Sequence, residues 1–239
     1  MVREKIRKVP EYREVIYTEE HWKLLSELRK EASKLLRVLY RKGLQAFVHG
    51  SIARGDVWRG SDIDIVILDT VPSYIIEYTL ENGGYSIYAR YIVVATPIST
   101  PKAYITLDNE ERRTISFPLY KLKTREYEFY RFGGLLDLEG LKRDLRVPGV
   151  DKRLVLIEPT PRGHLESPVI DYESVVASKL GISIETVVER VRVLSKRDEF
   201  GRTGVFIKYE LAPHESFEEA IENIVKRNPL LRESLRRYH

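Results

Sequence analysis

The stretch Phe47 to Leu68, FVHGSIARGDVWRGSDIDIVIL, decides the fold. It opens on the apolar pair Phe47-Val48, which reads as the end of a strand. His49-Gly50-Ser51 follows, then a polar segment that contains glycine. Asp62-Ile63-Asp64 comes next and runs straight into Ile65-Val66-Ile67-Leu68. Side chains on a strand alternate between faces, so Asp62 and Asp64 point one way while Ile63 and Ile65 point into a core.

Two carboxylates held side by side repel each other unless a cation sits between them. Oxygen-only ligands that leave room for phosphate oxygens and water suit Mg²⁺. Gly50 lets the backbone come close to a ligand, and Ser51 offers a hydroxyl to a phosphate oxygen. A tight turn that aims backbone N–H groups at an anion serves the same end. An Asp-x-Asp alone is common on exposed strands, and a Gly-Ser is commoner. What carries the reading is their combination at this spacing.

The arrangement resembles the nucleotidyltransferase superfamily typified by DNA polymerase beta. That family's pattern is an apolar residue, Gly, Gly or Ser, then about ten residues and two acids flanking an apolar one. Ser51 to Asp56, SIARGD, and Gly60-Ser61-Asp62 look especially like the minimal nucleotidyltransferases of archaea and bacteria. The resemblance implies a similar fold and transfer of a nucleotidyl group from a nucleoside triphosphate to an acceptor hydroxyl. It implies that Asp62 and Asp64 are catalytic and hold Mg²⁺. Gly50, Ser51 and Ser61 would bind the nucleotide, with Arg54 helping to neutralise the triphosphate. The acceptor is left open: nucleic acid, a protein or a small molecule.

The family usually adds a third carboxylate from a neighbouring strand. Here Thr114 to Leu119, the natural place, carries Ser116 instead of an acid. Asp108 is the nearest acid and the candidate third catalytic residue, although acids where a turn begins are often plain turn residues. Without a third acid a two-metal mechanism is in doubt, and nucleotide binding survives.

The 239 residues suffice for one large domain or two small ones. The absence of Cys excludes disulfides, thiol catalysis and Cys-based zinc sites. No apolar run approaches the length of a membrane span, and the charged N-terminus lacks a signal-peptide core, so the chain reads as soluble and cytoplasmic. Charged residues make up 32%, with a single Met and a single Gln, a balance that suits a hyperthermophile. A net charge of +4 permits a polyanionic partner without requiring one.

A helix is expected from Thr18, with Trp22, Leu25, Leu28, Ala32, Leu35, Leu36 and Leu39 at helical spacing and Lys42-Gly43 at its end. Pro72 opens a second helix that closes at Asn82-Gly83-Gly84. Tyr85 to Ala95 reads as a strand, and Lys102–Leu107 and Thr114–Leu119 as a hairpin turning at Asp108 to Glu111. The expected class is α/β (α+β), a mixed sheet with flanking helices over residues 18–120. A connecting region spans 121–167, where Tyr127, Phe129, Tyr130 and Phe132 cluster and His164 reads as structural.

Residues 168–239 form the third expected segment. Asp171 is placed to cap one helix, Gly181 to end it, and Ser183 to cap the next, whose apolar face carries Ile184, Val187, Val188, Val191 and Leu194. A hairpin turning at Arg202 would follow. Together these resemble a winged helix-turn-helix. If it reads nucleic acid, Arg190, Lys196 and Arg202 are the candidate contacts, while Glu185 and Glu189 oppose tight phosphate binding. Packing is the alternative use of the same region. The tail reads as charged helices broken at Asn228-Pro229.

Overall fold

Thr18 begins the first helix as its composition predicts, its hydroxyl accepting the His21 N–H at 3.3 Å. The computed structural model describes residue 6, residues 12–201 and residues 204–238. In chain order the elements are β1 (Arg13–Ile16), α1 (Glu19–Tyr40), β2 (Ala46–His49), α2 (Ser51–Arg54), β3 (Ile63–Ile67), α3 (Ser73–Asn82) and β4 (Ala89–Val94). Then come β5 (Lys102–Thr106), β6 (Arg113–Pro118), α4 (Thr124–Gly133), β7 (Leu135–Leu136), α5 (Leu138–Lys142), β8 (Gly149–Val150), β9 (Val155–Thr160) and β10 (Gly163–Pro168). The chain closes with α6 (Glu173–Leu180), α7 (Ile184–Phe200), β11 (Ile207–Glu210), α8 (Phe217–Arg227) and α9 (Pro229–Tyr238). This is the mixed α/β class expected.

Two compact units form, each drawn from three stretches. The first is Met1–Glu31, Val48–Ser61 and Thr124–Thr203; the second is Ala32–Phe47, Asp62–Lys123 and Gly204–His239.

In the second unit β3 runs parallel to β6, and β6, β5, β4 and β11 pair antiparallel in that order. The register puts Ile63, Ile65, Ile115, Phe117, Ala103, Ile105, Ile92 and Val94 on one face, all buried. Helices cover that face. Phe217 of α8 meets Phe117 edge-on at 5.4 Å, and Glu218 accepts both the Ser73 N–H and its hydroxyl at the start of α3. Ala32, Leu35, Leu36 and Leu39 of α1 are fully buried, as their spacing predicts. Asp64, Thr114 and Thr106 share the opposite face.

In the first unit β1, β10, β9 and β8 form an antiparallel sheet. Its core gathers Phe132, Val150, Leu154, Leu156, Val169, Val176, Ala177 and Val187 from β8, β9, α4, α6, α7 and adjoining loops. Ser183 caps α7 by accepting the Thr186 N–H, as expected. Asp171 does not cap α6; its φ is 71° and Tyr172 occupies the cap without a side-chain bond.

His164 is structural, as expected. Its Nδ1 lies 2.7 Å from the Tyr17 hydroxyl, and the residue is 4% exposed. Burial pushes the imidazole below its ordinary value of 6.5, against an upward pull from Asp56 and Glu166. The neutral ring is therefore the folded form. The stability it contributes is present above pH 6.5 and is lost as pH falls below that value through the folded pKa. Unfolding followed from pH 8 to pH 5 is expected to show this loss in the wild type and to show much less of it in His164→Gln.

Candidate functional site

Strand period places the two central acids. Asp62 precedes β3 and Asp64 lies within it; both are exposed, while Ile63 at 3% and Ile65 at 0% are buried. The start of the strand is fixed by the Ile63 N–H, which donates to the Arg112 carbonyl at 2.7 Å. Thr114 of β6 is the register partner of Asp64, and Ser116 that of Val66. The hydroxyl beside Asp64 thus comes from Thr114, two pairs away from Ser116, where the third carboxylate was sought.

Asp108 is held by its own turn. Its carboxylate accepts the Arg112 N–H at 2.8 Å, the Arg113 N–H at 3.1 Å and Arg113 Nε at 3.0 Å. Burial pushes this carboxyl up, but the two backbone N–H groups and the Arg113 guanidinium outweigh it and hold it below the ordinary carboxylate value. Among the described residues no group of three or more His, Asp or Glu is placed to hold a metal ion. Three donors thus tie the Asp108 carboxylate into its own turn. Asp108→Ala is expected to cost about 1.5–3 kcal/mol of stability, the worth of a hydrogen bond to a charged group. Nucleotide affinity should stay within a factor of two; thermal unfolding and equilibrium dialysis check the two halves.

Gly50 and Ser51 open α2 in the first unit. Gly50 adopts φ 80° and ψ −140°, a left-handed conformation that side chains resist, and its N–H donates to the Gly134 carbonyl at 2.9 Å. Ser51 Oγ donates to Ser61 Oγ at 3.2 Å, and Ser61 Oγ also accepts the Trp58 N–H at 3.0 Å. The Ser61 N–H returns to the Trp58 carbonyl at 2.9 Å. Residues ten apart in sequence are in this way drawn together, with Ser61 joined directly to Asp62.

Arg54, the residue expected to help neutralise a triphosphate, is held by its own neighbours. It is 6% exposed, its Nε and Nη2 each donate to Asp56 at 2.9 Å, and Nη1 donates to the Gly133 carbonyl. A Cβ at Gly134 would fall 2.7 Å from Arg54 Cγ, and one at Gly149 would fall 2.9 Å from its Cδ. The arginine fills a slot that glycines leave open. Asp56, two residues on, was the signal in the sequence.

The helix-turn-helix expectation holds only in its two helices. The strand after α7 forms no wing: β11 pairs antiparallel with β4 and edges the sheet of the second unit. Arg202, the expected wing contact, lies outside the described residues. Arg190 turns inward, its guanidinium 4.9 Å from the centre of the Phe129 ring and its Nε buried. Desolvation pulls it down to about 10. Lys196 is exposed, but so are Ile184, Glu185, Val188 and Glu189 at the start of the helix, a face that apolar and acidic groups dominate. Glu128, which sequence reading passed over, accepts from Ser183 and Thr186 and ties α4 to the cap of α7.

No helix among the described residues is long and apolar enough to cross a membrane. No curated protein and no solved structure matches the chain. A family model described as a nucleotidyltransferase domain matches residues 25–148, which is just over half of the 239. That span contains α1 from Leu25 onward, the Gly50-Ser51 turn, Asp62, Asp64 and the hairpin of Asp108. The chain belongs to the nucleotidyltransferase domain family.

Proposed function

We propose that this chain transfers a nucleotidyl group from a nucleoside triphosphate to an acceptor hydroxyl in a Mg²⁺-dependent reaction. The observation that carries the reading is the exposure of Asp62 and Asp64 together, with Ile63 and Ile65 buried between and behind them. Paired carboxylates facing water fit a hard cation that keeps water and phosphate oxygens in its remaining positions. Asp62 and Asp64 would hold such an ion, which would supply positive charge against the charge that develops on the leaving pyrophosphate.

The chain's own groups do the rest. Asp62 and Asp64 would be the two side chains that hold the cation. Ser61 accepts two hydrogen bonds, from Ser51 and from Trp58 N–H, so its own proton is left to donate to a phosphate oxygen. Gly50 gives the turn the left-handed backbone that opens α2, and Ser51 braces Ser61. The acceptor hydroxyl attacks the α-phosphorus and gives up its proton to water, the bond to the β-phosphate oxygen breaks, and pyrophosphate leaves.

The engagement of Asp108 favours a second reading, in which the domain binds nucleotide and transfers slowly. It would then serve as the nucleotide-sensing part of a regulator, with nucleic acid or a protein as partner. Triphosphates labelled at the α-phosphate, incubated with Mg²⁺ and with RNA, protein or small-molecule hydroxyl acceptors, separate the two. Label retained on an acceptor supports transfer; Mg²⁺-dependent binding with no retained label supports the second reading. No binding and no transfer would sink both.

A further inference from the structure

We propose that the indole of Trp58 is a stacking platform for the nucleobase of the bound triphosphate, an inference that rests on the nucleotide reading above. Trp58 lies in the loop between Ser51 and Ser61 and is 58% exposed. An indole serving only to pack would be expected in a core. This one is exposed, on a loop whose backbone is held. The Trp58 backbone N–H donates to Ser61 Oγ and the Trp58 carbonyl accepts the Ser61 N–H, so the turn is closed from both sides.

Gly60 explains how the ring lies. A Cβ there would sit 2.4, 2.7 and 2.8 Å from three atoms of the Trp58 ring. Gly60 has no left-handed φ, so its backbone does not call for glycine. The ring does: one part of the indole rests where a side chain would stand, and the rest faces solvent. Exposed Arg59 adds a cation next to it.

The loop therefore joins three features. Ser61 is the hydroxyl assigned to phosphate, Ser51 braces it, and Trp58 is hydrogen-bonded to Ser61 through its backbone. A flat apolar surface beside a phosphate-binding hydroxyl matches the two ends of a nucleotide. Every nucleobase has a π-face, so stacking on an indole is tolerant of base identity. The site should discriminate weakly among the four bases.

Tryptophan fluorescence reads this directly. The chain has two tryptophans, Trp22 and Trp58. Trp22 packs against Tyr17 at 4.9 Å and beneath Arg146 at 4.8 Å, so Trp22→Phe keeps an aromatic ring there and leaves Trp58 as sole reporter. In that background all four nucleoside triphosphates are expected to quench emission saturably, and inorganic triphosphate is not. Trp58→Ala is expected to raise the triphosphate Kd in equilibrium dialysis roughly ten-fold, within the range of one lost base–aromatic stack. Trp58→Phe should recover most of the loss, and affinity for inorganic triphosphate should not change.

Equal nucleotide affinity in the wild type and Trp58→Ala, with no quenching, would overturn the proposal and leave the nucleotide reading standing. Failure of the wild type to bind any triphosphate would overturn both. Quenching by a single-stranded oligonucleotide but by no triphosphate would also overturn it, because the ring would then serve the acceptor.

Discussion

Asp62→Asn and Asp64→Asn are each expected to lower Mg²⁺-dependent nucleotidyl transfer by about 10³-fold while leaving the fold intact. A metal's stabilisation of transition-state charge is worth several kcal/mol, and each 1.36 kcal/mol is a factor of ten in rate. With one carboxylate gone the cation is held by a single side chain, and its position relative to the phosphates is no longer fixed. Stability should barely change. Both residues are exposed, and surface substitutions usually stay within about ±0.5 kcal/mol. Removing one of two neighbouring negative charges relieves their repulsion. Asp69→Asn, at another exposed acid just beyond the same strand, is the control and should leave the rate unchanged. The Mg²⁺ concentration giving half-maximal rate should rise in both site variants. Wild-type rates in Asp62→Asn, measured on protein whose thermal unfolding is unchanged, would remove the two acids from the chemistry.

What could be read from the sequence was what a short period or a local turn specifies. The alternation Asp62-Ile63-Asp64-Ile65 needs only the geometry of one strand, and burial follows it residue by residue. The hairpin of β5 and β6, the Thr18 and Ser183 caps, and the break at Asn228-Pro229 are likewise local.

Long-range pairing was not legible. β11 pairs with β4 more than a hundred residues upstream, and β1 pairs with β10 at a still greater separation. A strand following a helix-turn-helix reads as a wing when only its neighbours are considered. The partner of Asp64 was equally out of reach, because register decides it: one residue of slip exchanges Thr114 for Ile115 and flips the face. Arg190 shows a further limit. Its helix position suggests solvent, but Phe129 of α4 supplies a ring that only the tertiary fold brings under it.

Arg54 gives the largest effect expected on stability, and it tests which of two roles the arginine fills. As a triphosphate neutraliser, it would be dispensable for folding, and Arg54→Ala would weaken nucleotide binding alone. The geometry points the other way. The Arg54 and Asp56 side chains are 7% and 12% exposed, and the guanidinium also satisfies the Gly133 carbonyl. Arg54→Ala leaves a buried carboxylate without its cation, a buried carbonyl without a donor and an empty slot beside Gly134 and Gly149. Breaking a buried pair by removing one partner costs about 3–5 kcal/mol. For a chain of this size that corresponds to a fall in Tm on the order of 10 °C. Arg54→Lys should recover only part of it, since an ammonium cannot reach both carboxylate oxygens and the carbonyl with the same planar fork. Arg54→Ala combined with Asp56→Ala should be less damaging than the two single losses added together, because the second change removes the carboxylate that the first leaves uncompensated. An unchanged Tm in Arg54→Ala, together with a lost affinity for triphosphate, would return the arginine to the nucleotide.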